Sequence, residues 1–445
     1  MKKFYFVLAM VAVAVTSCQK DVVYNNVQTE SVTAVEQTSP YAVSEEEALE
    51  LLEEELIMLY GDNTRSSQRQ VYKITPVSFD NLAHTRSSEV DVDNLLYIVE
   101  FADGEGSAIL GADQRVESVF AVLEEGVITS EDFNNAANGV NNDELTTYLA
   151  SLIIDEAVEQ IETSTLSIIP PVSDLMYSYS EYENILSESN ECLLHTKWGQ
   201  NAPYNTYCYN EEGQRCVAGC VTIDAAQVLL YNPVQSIYEI VIDGESFNRT
   251  LLNMKVHDED LPLNMLLNVN NEVARYVAKL AEVLNIVLRP TSSSGNTQNI
   301  VGLMETLGYV DVDYISGSGL TFEGCVRDQL YLRCLPAPFR GVDINSNTGH
   351  SWVIDGYKYQ VDKEYFVTVE GSTIISREYI GLRSIKKVHC NYGWNGRCDG
   401  YYSFGVFDVS QRLSDDNIIE EVGDVEYTSD YNFSSSLGMI VYELP

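Results

Sequence analysis

Cys220 follows Gly219 in the stretch Arg215–Tyr231, RCVAGCVTIDAAQVLLY, and heads an apolar run that predicts a helix from Cys220 to Tyr231. A thiol at a helix N-terminus meets unsatisfied N–H groups and the positive end of the helix dipole, and both favour the thiolate. The thiolate is the nucleophilic form, so the position suits covalent acyl chemistry. The plainer alternative is a small buried side chain opening a core helix.

A nucleophilic thiol needs a base, and the chain has only five histidines. His84 lies far upstream, His257 sits in the polar run His257-Asp258-Glu259-Asp260, and His195 precedes the aromatic stretch near Trp198. His389 stands one residue before Cys390-Asn391. His350 lies in Gly349-His350-Ser351-Trp352-Val353-Ile354-Asp355-Gly356, where a loop enters an apolar strand. The tip of a loop opening a rigid strand is a sound mount for a general base, and His350 fits that role best. Taken alone, it is equally a histidine satisfying a turn. Asn391 offers a side-chain carbonyl that can fix an imidazole tautomer, the third role in a Cys–His–Asn set. Its surroundings, Asn391-Tyr392-Gly393-Trp394-Asn395-Gly396, shield such a bond or simply make a turn. Gln200 can donate its amide N–H to an oxyanion beside the Cys220 backbone N–H.

In combination these residues resemble a known family. The order is Trp198-x-Gln200-x-x-Pro203-Tyr204-Asn205, Ala218-Gly219-Cys220-Val221 with Ala226-Gln227, Gly349-His350, and Asn391-x-Gly393-Trp394. It is similar to the streptopain family, secreted bacterial papain-like cysteine peptidases made as zymogens. Tyr97–Val119, YIVEFADGEGSAILGADQRVESV, resembles the propeptide of that family. The resemblance implies Cys220 as nucleophile, His350 as general base, Asn391 as the residue orienting it, Gln200 in the oxyanion hole and Trp394 supporting the site. It further implies an α+β fold: a papain-like two-lobe domain behind a small α+β prodomain that acts as an intramolecular inhibitor. The chain departs from the family pattern at Tyr392, where tryptophan is usual, and at Asp224, where a small apolar residue is usual. Asp224 stands one helical turn from Cys220 on the same face, where an ionised carboxylate opposes thiolate formation.

The elements that position these residues are partly legible. Ser44-Glu45-Glu46-Glu47 ahead of Ala48–Leu59 predicts an acidic helix with a capping box. Strands are expected at Val71–Val77, Leu95–Phe101, Ser107–Gly111 and Val116–Leu123, and a helix over Asp143–Glu162. Ile169-Pro170-Pro171 marks a boundary. Beyond it, helices are expected at Cys220–Tyr231, Glu272–Asn285 and Thr297–Leu307. Strands follow at Ser351–Asp355, Tyr365–Val369, Ile385–Cys390, Tyr401–Phe404 and Met439–Tyr442. Helices first and sheet later predict α+β with two lobes.

Lys2 and Lys3 precede the apolar run Phe4–Val15, then Val15-Thr16-Ser17-Cys18, the outline of an export signal. Its ending resembles a bacterial lipobox, which would make Cys18 the lipid-modified first residue of an exported, membrane-anchored lipoprotein at the cell surface or the periplasmic face of the outer membrane. The domain reading is 1–18 signal, 19–38 flexible tether, 39–171 prodomain and 172–445 peptidase domain. With 67 Asp and Glu against 26 Lys and Arg, the net charge of −41 repels nucleic acid, which is not expected as a partner. Expected partners are polypeptide substrates, the prodomain and, through Cys18, a membrane. Of nine cysteines, six fall in local pairs, Cys208 with Cys216, Cys325 with Cys334 and Cys390 with Cys398, which export makes candidate disulfides. With no CxxC and few histidines, neither a metal site nor a cofactor is expected.

Three activities fit this pattern. The leading one is an endopeptidase in which Cys220 forms an acyl-enzyme and His350 protonates the leaving amine. The second is a surface polypeptide-binding lipoprotein with a degenerate peptidase domain. The third is an acyl transferase using the same nucleophile.

Overall fold

The computed structural model describes residues 41–62, 64–77, 95–138, 140, 145–164, 176–232, 234–255, 261–342, 349–370, 373–407 and 437–445. His84, His257, Cys18, the tether and the Ile169-Pro170-Pro171 boundary lie outside them. No described helix is long and apolar enough to cross a membrane.

The N-terminal unit opens with α1 (Glu45–Tyr60), whose N-cap Ser44 accepts from the Glu47 N–H, the Ser half of the expected capping box. Strands β1 (Val71–Val77), β2 (Leu96–Phe101), β3 (Ser107–Gly111) and β4 (Val119–Leu123) follow as an antiparallel meander. Then come α2 (Ser130–Ala137) and α3 (Leu145–Thr163). The start of α2 has a capping box that the sequence reading missed, because Asp132 rather than Glu closes it on Thr129. Leu96 and Ile98 of β2 face α2 and α3, while Tyr97 and Val99 face α1. Side chains alternate along a strand, so a strand covered on both faces reads as a continuous apolar run.

The rest of the chain supplies two lobes. One is helical: α4 (after β5, Met176–Asn190) spans Cys220–Tyr231 and is followed by the hairpin β6 (Glu239–Ile242) and β7 (Glu245–Asn248). Helices α5 (Arg249–Met254), α6 (Leu263–Val283) and α7 (Asn299–Leu307) complete it. Every residue of α4 from Val221 to Leu230 is buried, which explains its unbroken apolarity. Helix α6 starts nine residues before the expected Glu272, because Asn264, Asn268, Asn270 and Asn271 mask the apolar period there. It stops at Val283, two residues before Asn285 takes a left-handed φ of 54°.

The other lobe is a sheet made of β8 (Val310–Ser316), β9 (Ala337–Val342), β10 (Gly349–Glu370), β11 (Thr373–Asn391), β12 (Gly400–Ser403) and β13 (Gly438–Glu443). The two strands expected at Ser351–Asp355 and Tyr365–Val369 are parts of the single long strand β10. The polar middle of β10 has no hydrophobic pattern to read and is set by its partners β11 and β5. Strand β5 was not expected, and it begins a few residues after the expected domain boundary.

The N-terminal unit and the sheet lobe share one sheet in the order β1-β2-β3-β4-β12-β11-β10-β9-β13-β8. The junction is β4 against β12, where Gly400 opposes Leu123 and Tyr401 opposes Val122. A Cβ on Gly400 would lie 2.2 Å from the Val122 carbonyl oxygen, so this close approach requires glycine. One apolar core joins Leu149 and Ile153 of α3 to Trp352, Tyr357 and Tyr392 of the sheet lobe. A separate core fills the helical lobe. The α+β class with two lobes behind a small α+β unit is therefore the observed architecture.

Candidate active site

Gly219 caps α4 with a φ of +89°, a left-handed conformation that favours glycine and turns the chain into the helix. Its successor Cys220 opens α4 with the N–H groups of Cys220 and Val221 directed at its sulfur. The main-chain N–H of Ser351, next to His350 on β10, also lies against that sulfur. This contact brings the start of β10 to the Cys220 thiol. The main chain of Gln200 is fixed nearby, since its carbonyl accepts from the Ala218 N–H at 2.9 Å.

Burial dominates the electrostatics. Loss of solvent, reinforced by the Asp224 carboxyl, pushes the Cys220 thiol up to about 11, against the three N–H groups that favour the thiolate. Burial also pushes the His350 imidazole down to about 4. Between these values both groups are neutral. In this form the helix-end effect on the thiol is outweighed by desolvation.

Cys220, Asp224 and Gln227 share one face of α4 at a spacing of four and three residues. Asp224 is fully buried, and neither carboxylate oxygen has a hydrogen-bond partner. The nearby Ser351 hydroxyl offsets part of this burial, which still holds the carboxyl well above the usual range. A Cβ on Gly393, at a φ of +66°, would meet Ile223 at 2.9 Å and Asp224 Oδ1 at 4.0 Å, which packs the turn after Asn391 onto this face.

Gln227 belongs to the sequence motif but had no expected role. Its Nε2 donates to Asn391 Oδ1 at 3.1 Å, and its Oε1 accepts from the Trp198 N–H at 3.4 Å. Asn391 Oδ1 also accepts from the Gly393 N–H, and Asn391 Nδ2 donates to the Thr196 carbonyl at 2.6 Å. The asparagine is thus spoken for by Gln227, Gly393 and Thr196, not by His350. His350 Nδ1 is buried with no hydrogen-bond partner. Its ring is held instead between two aromatics, Trp394 at 5.5 Å and 67°, and Tyr148 of α3 at 6.2 Å and 55°. Trp394 and Tyr148 thus flank the imidazole. Tyr148, which no sequence motif flagged, brings the N-terminal unit to the histidine.

The departure at Tyr392 is accommodated by stacking. Its ring lies fully buried against Trp352 and Tyr402, at 5.5 and 5.7 Å, while its N–H donates to Asp399 Oδ1 at 2.8 Å. Burial pushes that Asp399 carboxyl up to about 7. Cys208, Cys216, Cys325, Cys334, Cys390 and Cys398 are all free thiols, so none of the three local pairs is bonded.

A thiol at a helix N-terminus, a histidine on β10 and its aromatic cover all lie within the segment that family comparison picks out. Residues 198–402 match the model of the Peptidase C10 family. That segment is a little under half of the chain, and over it the chain is similar to the streptopain-type cysteine peptidases. The C10 segment begins at Trp198 and ends at Tyr402, enclosing Gln200, Cys220, His350, Asn391 and Trp394. No curated protein matches the chain. Among solved structures it is similar to a mutant fragment of prointerpain A from Prevotella intermedia, at 21% identity and a TM-score of 0.49, covering 80% of this chain and 98% of that one. It is also similar to the active wild-type interpain A cysteine protease of the same organism, at 23% identity and a TM-score of 0.37, covering 57% of this chain and 94% of that one.

Proposed function

We propose that this C10 peptidase is an exported, lipid-anchored endopeptidase made as a zymogen, with the unit between about residues 39 and 171 as its inhibitory prodomain. The observation that carries the reading is the seat of His350. Its ring is clasped by Trp394 from the peptidase domain and Tyr148 from the N-terminal unit, with no hydrogen bond from its Nδ1 to Cys220 or Asn391. Removing Tyr148 with the N-terminal unit frees the ring to approach the thiol and take up its proton. Cys220 Sγ then attacks a peptide carbonyl, and the N–H groups at the start of α4, with the Gln200 amide, stabilise the oxyanion. His350 passes its proton to the leaving amine and activates the water that releases the acyl group. Export and anchoring rest on the Lys2–Cys18 segment, and polypeptides are the substrates that this chemistry takes.

The test is expression of the full chain with Cys220→Ala and with His350→Ala. Both variants should remain unprocessed and fail to hydrolyse casein, and undiminished hydrolysis by purified Cys220→Ala protein would sink the reading. The buried, unpartnered Asp224 favours one other reading, a polypeptide-binding protein with a degenerate site. An irreversible epoxide inhibitor of cysteine peptidases decides between them: the peptidase is labelled at Cys220 after prodomain removal, the binder is not.

A further inference from the structure

A second thiol, imidazole and carboxylate meet away from Cys220. Cys192 follows β5, Asp355 lies on β10 and His389 on the neighbouring β11. Their potential ligand atoms all lie within 4.8 Å of one another. Gly356 makes room for the cluster: a Cβ there would stand 2.6 Å from His389 Cβ and 3.4 Å from Cys192 Sγ. Asp355 Oδ1 lies 2.6 Å from His389 Nδ1, while Asp355 Oδ2 accepts from the Leu194 N–H at 3.0 Å. His389 is only 5% exposed, yet its Nε2 has no hydrogen bond. A carboxylate oxygen of the N-terminal unit, Glu124 Oε1, stands 3.6 Å from that nitrogen. Cys192 Sγ lies 3.6 Å from the Tyr401 hydroxyl, which closes the side towards β12.

The geometry points to a binding site for a divalent cation of the zinc class, held by Cys192, Asp355 and His389, with Glu124 as the adjoining carboxylate. A soft thiolate, a borderline imidazole and a hard carboxylate form the mixed donor set that Zn²⁺ accepts, and Mg²⁺ or Ca²⁺ does not select thiolate. Zn–ligand distances of about 2.0–2.3 Å put tetrahedral donors about 3.3–3.8 Å apart. Side-chain rotation must close the widest of these separations, 4.8 Å at most, and open the 2.6 Å pair of Asp355 and His389 as the metal displaces their hydrogen bond. On binding, the thiol gives its proton to solvent and the imidazole binds as the neutral ring, so uptake of the metal releases protons. The ligands are scattered over positions 192, 355 and 389, so no spacing motif announces them, and no metal was expected from the sequence. Through Glu124 the bound cation would tie β4 of the N-terminal unit to β10 and β11.

The test uses the full chain carrying Cys220→Ser, so that it neither cuts itself nor binds metal through the nucleophile. After stripping with a chelator it is titrated with Zn²⁺ and, for a spectroscopic signal, with Co²⁺. One equivalent should bind with a thiolate-to-cobalt charge-transfer band. The band should vanish in Cys192→Ser and in His389→Gln and persist in Cys334→Ser, whose thiol is exposed. Glu124→Gln should weaken affinity by about tenfold, as loss of an outer carboxylate does. X-ray absorption at the zinc edge on the parent chain should read sulfur and imidazole ligands without any further variant. Absence of stoichiometric binding, binding unchanged by Cys192→Ser, or an all-oxygen shell overturns the proposal and leaves a metal-free ion-pair network.

Discussion

Tyr148 of α3 stands 6.2 Å from His350, ring to ring, and its hydroxyl lies 2.0 Å from where a Cβ on Gly341 would be. Gly341 is the β9 partner of His350, so the tyrosine fits over the strand pair only because that position has no side chain. The same ring packs edge-on against Trp352 at 6.4 Å. An aromatic contact of this kind contributes about 0.5–1.5 kcal/mol beyond its area, or about two- to tenfold in the population of an opened form. Tyr148→Ala should therefore quicken self-processing of the full chain by about that factor, followed as loss of the full-length band at fixed pH. An unchanged rate would show that this clasp does not limit opening.

Thiol reactivity should report the latent state. With Cys220 pushed up to about 11, its thiolate fraction at pH 7 is about one part in ten thousand. Iodoacetamide labelling of the Cys220 peptide in the His350→Ala full chain, which stays whole, should climb steadily with pH and show no plateau near neutrality. In mature protein, where a thiolate–imidazolium pair can form, the rate should level off at lower pH. Labelling of the full chain that is already fast and flat at pH 7 would contradict the burial argument.

Asp224 gives a stability test with a definite sign. Its carboxyl is raised above 3.8 in the folded chain, so the fold binds this proton when the unfolded chain has released it. The group contributes most below the unfolded value, and its contribution is lost as pH rises above it. Asp224→Asn removes that loss while keeping the shape. The variant should gain stability relative to the parent as pH rises from about 4 to 7, measured as the urea midpoint across that range. It should also lower the pH at which Cys220 is labelled. A constant difference between variant and parent at every pH would mean that the carboxyl is not the titrating group.

The lines of the site were legible where chemistry and local signals coincide. Gly219, Cys220 and the uniformly apolar α4 announced themselves, and α4 runs over the expected residues because its burial is complete. His350 emerged by elimination among few histidines. The reach of β10 and β11 was not legible, because their polar halves are held by each other and by β5 rather than by a core. Gln227 on Asn391 and Tyr148 on His350 were hidden for a related reason: each depends on residues 164 and 202 positions apart meeting across packed elements, which no local spacing records.

Lys387 on β11 offers the sharpest test of how the N-terminal unit is held. It is 1% exposed, and its ammonium meets Glu117 at 2.8 Å and Glu55 at 3.3 Å, both from the N-terminal unit, and donates to the Val119 carbonyl. Glu117 is the nearer of the two carboxylates, and burial raises the Glu55 carboxyl. Removing one partner of a buried pair leaves an uncompensated charge and costs about 3–5 kcal/mol. Glu117→Ala should therefore shift the urea midpoint of the full chain down by an amount of that order, with little dependence on salt because the pair is shielded from solvent. The exposed pair of Arg65 with Glu105, whose arginine side chain is 86% exposed, is the control: Glu105→Ala should change stability by about 0–1 kcal/mol. If the two variants behave alike, Lys387 is not what fastens the N-terminal unit to the sheet. If Glu117→Ala also speeds processing of the Cys220-competent chain, the same ion pair sets how long the peptidase stays latent.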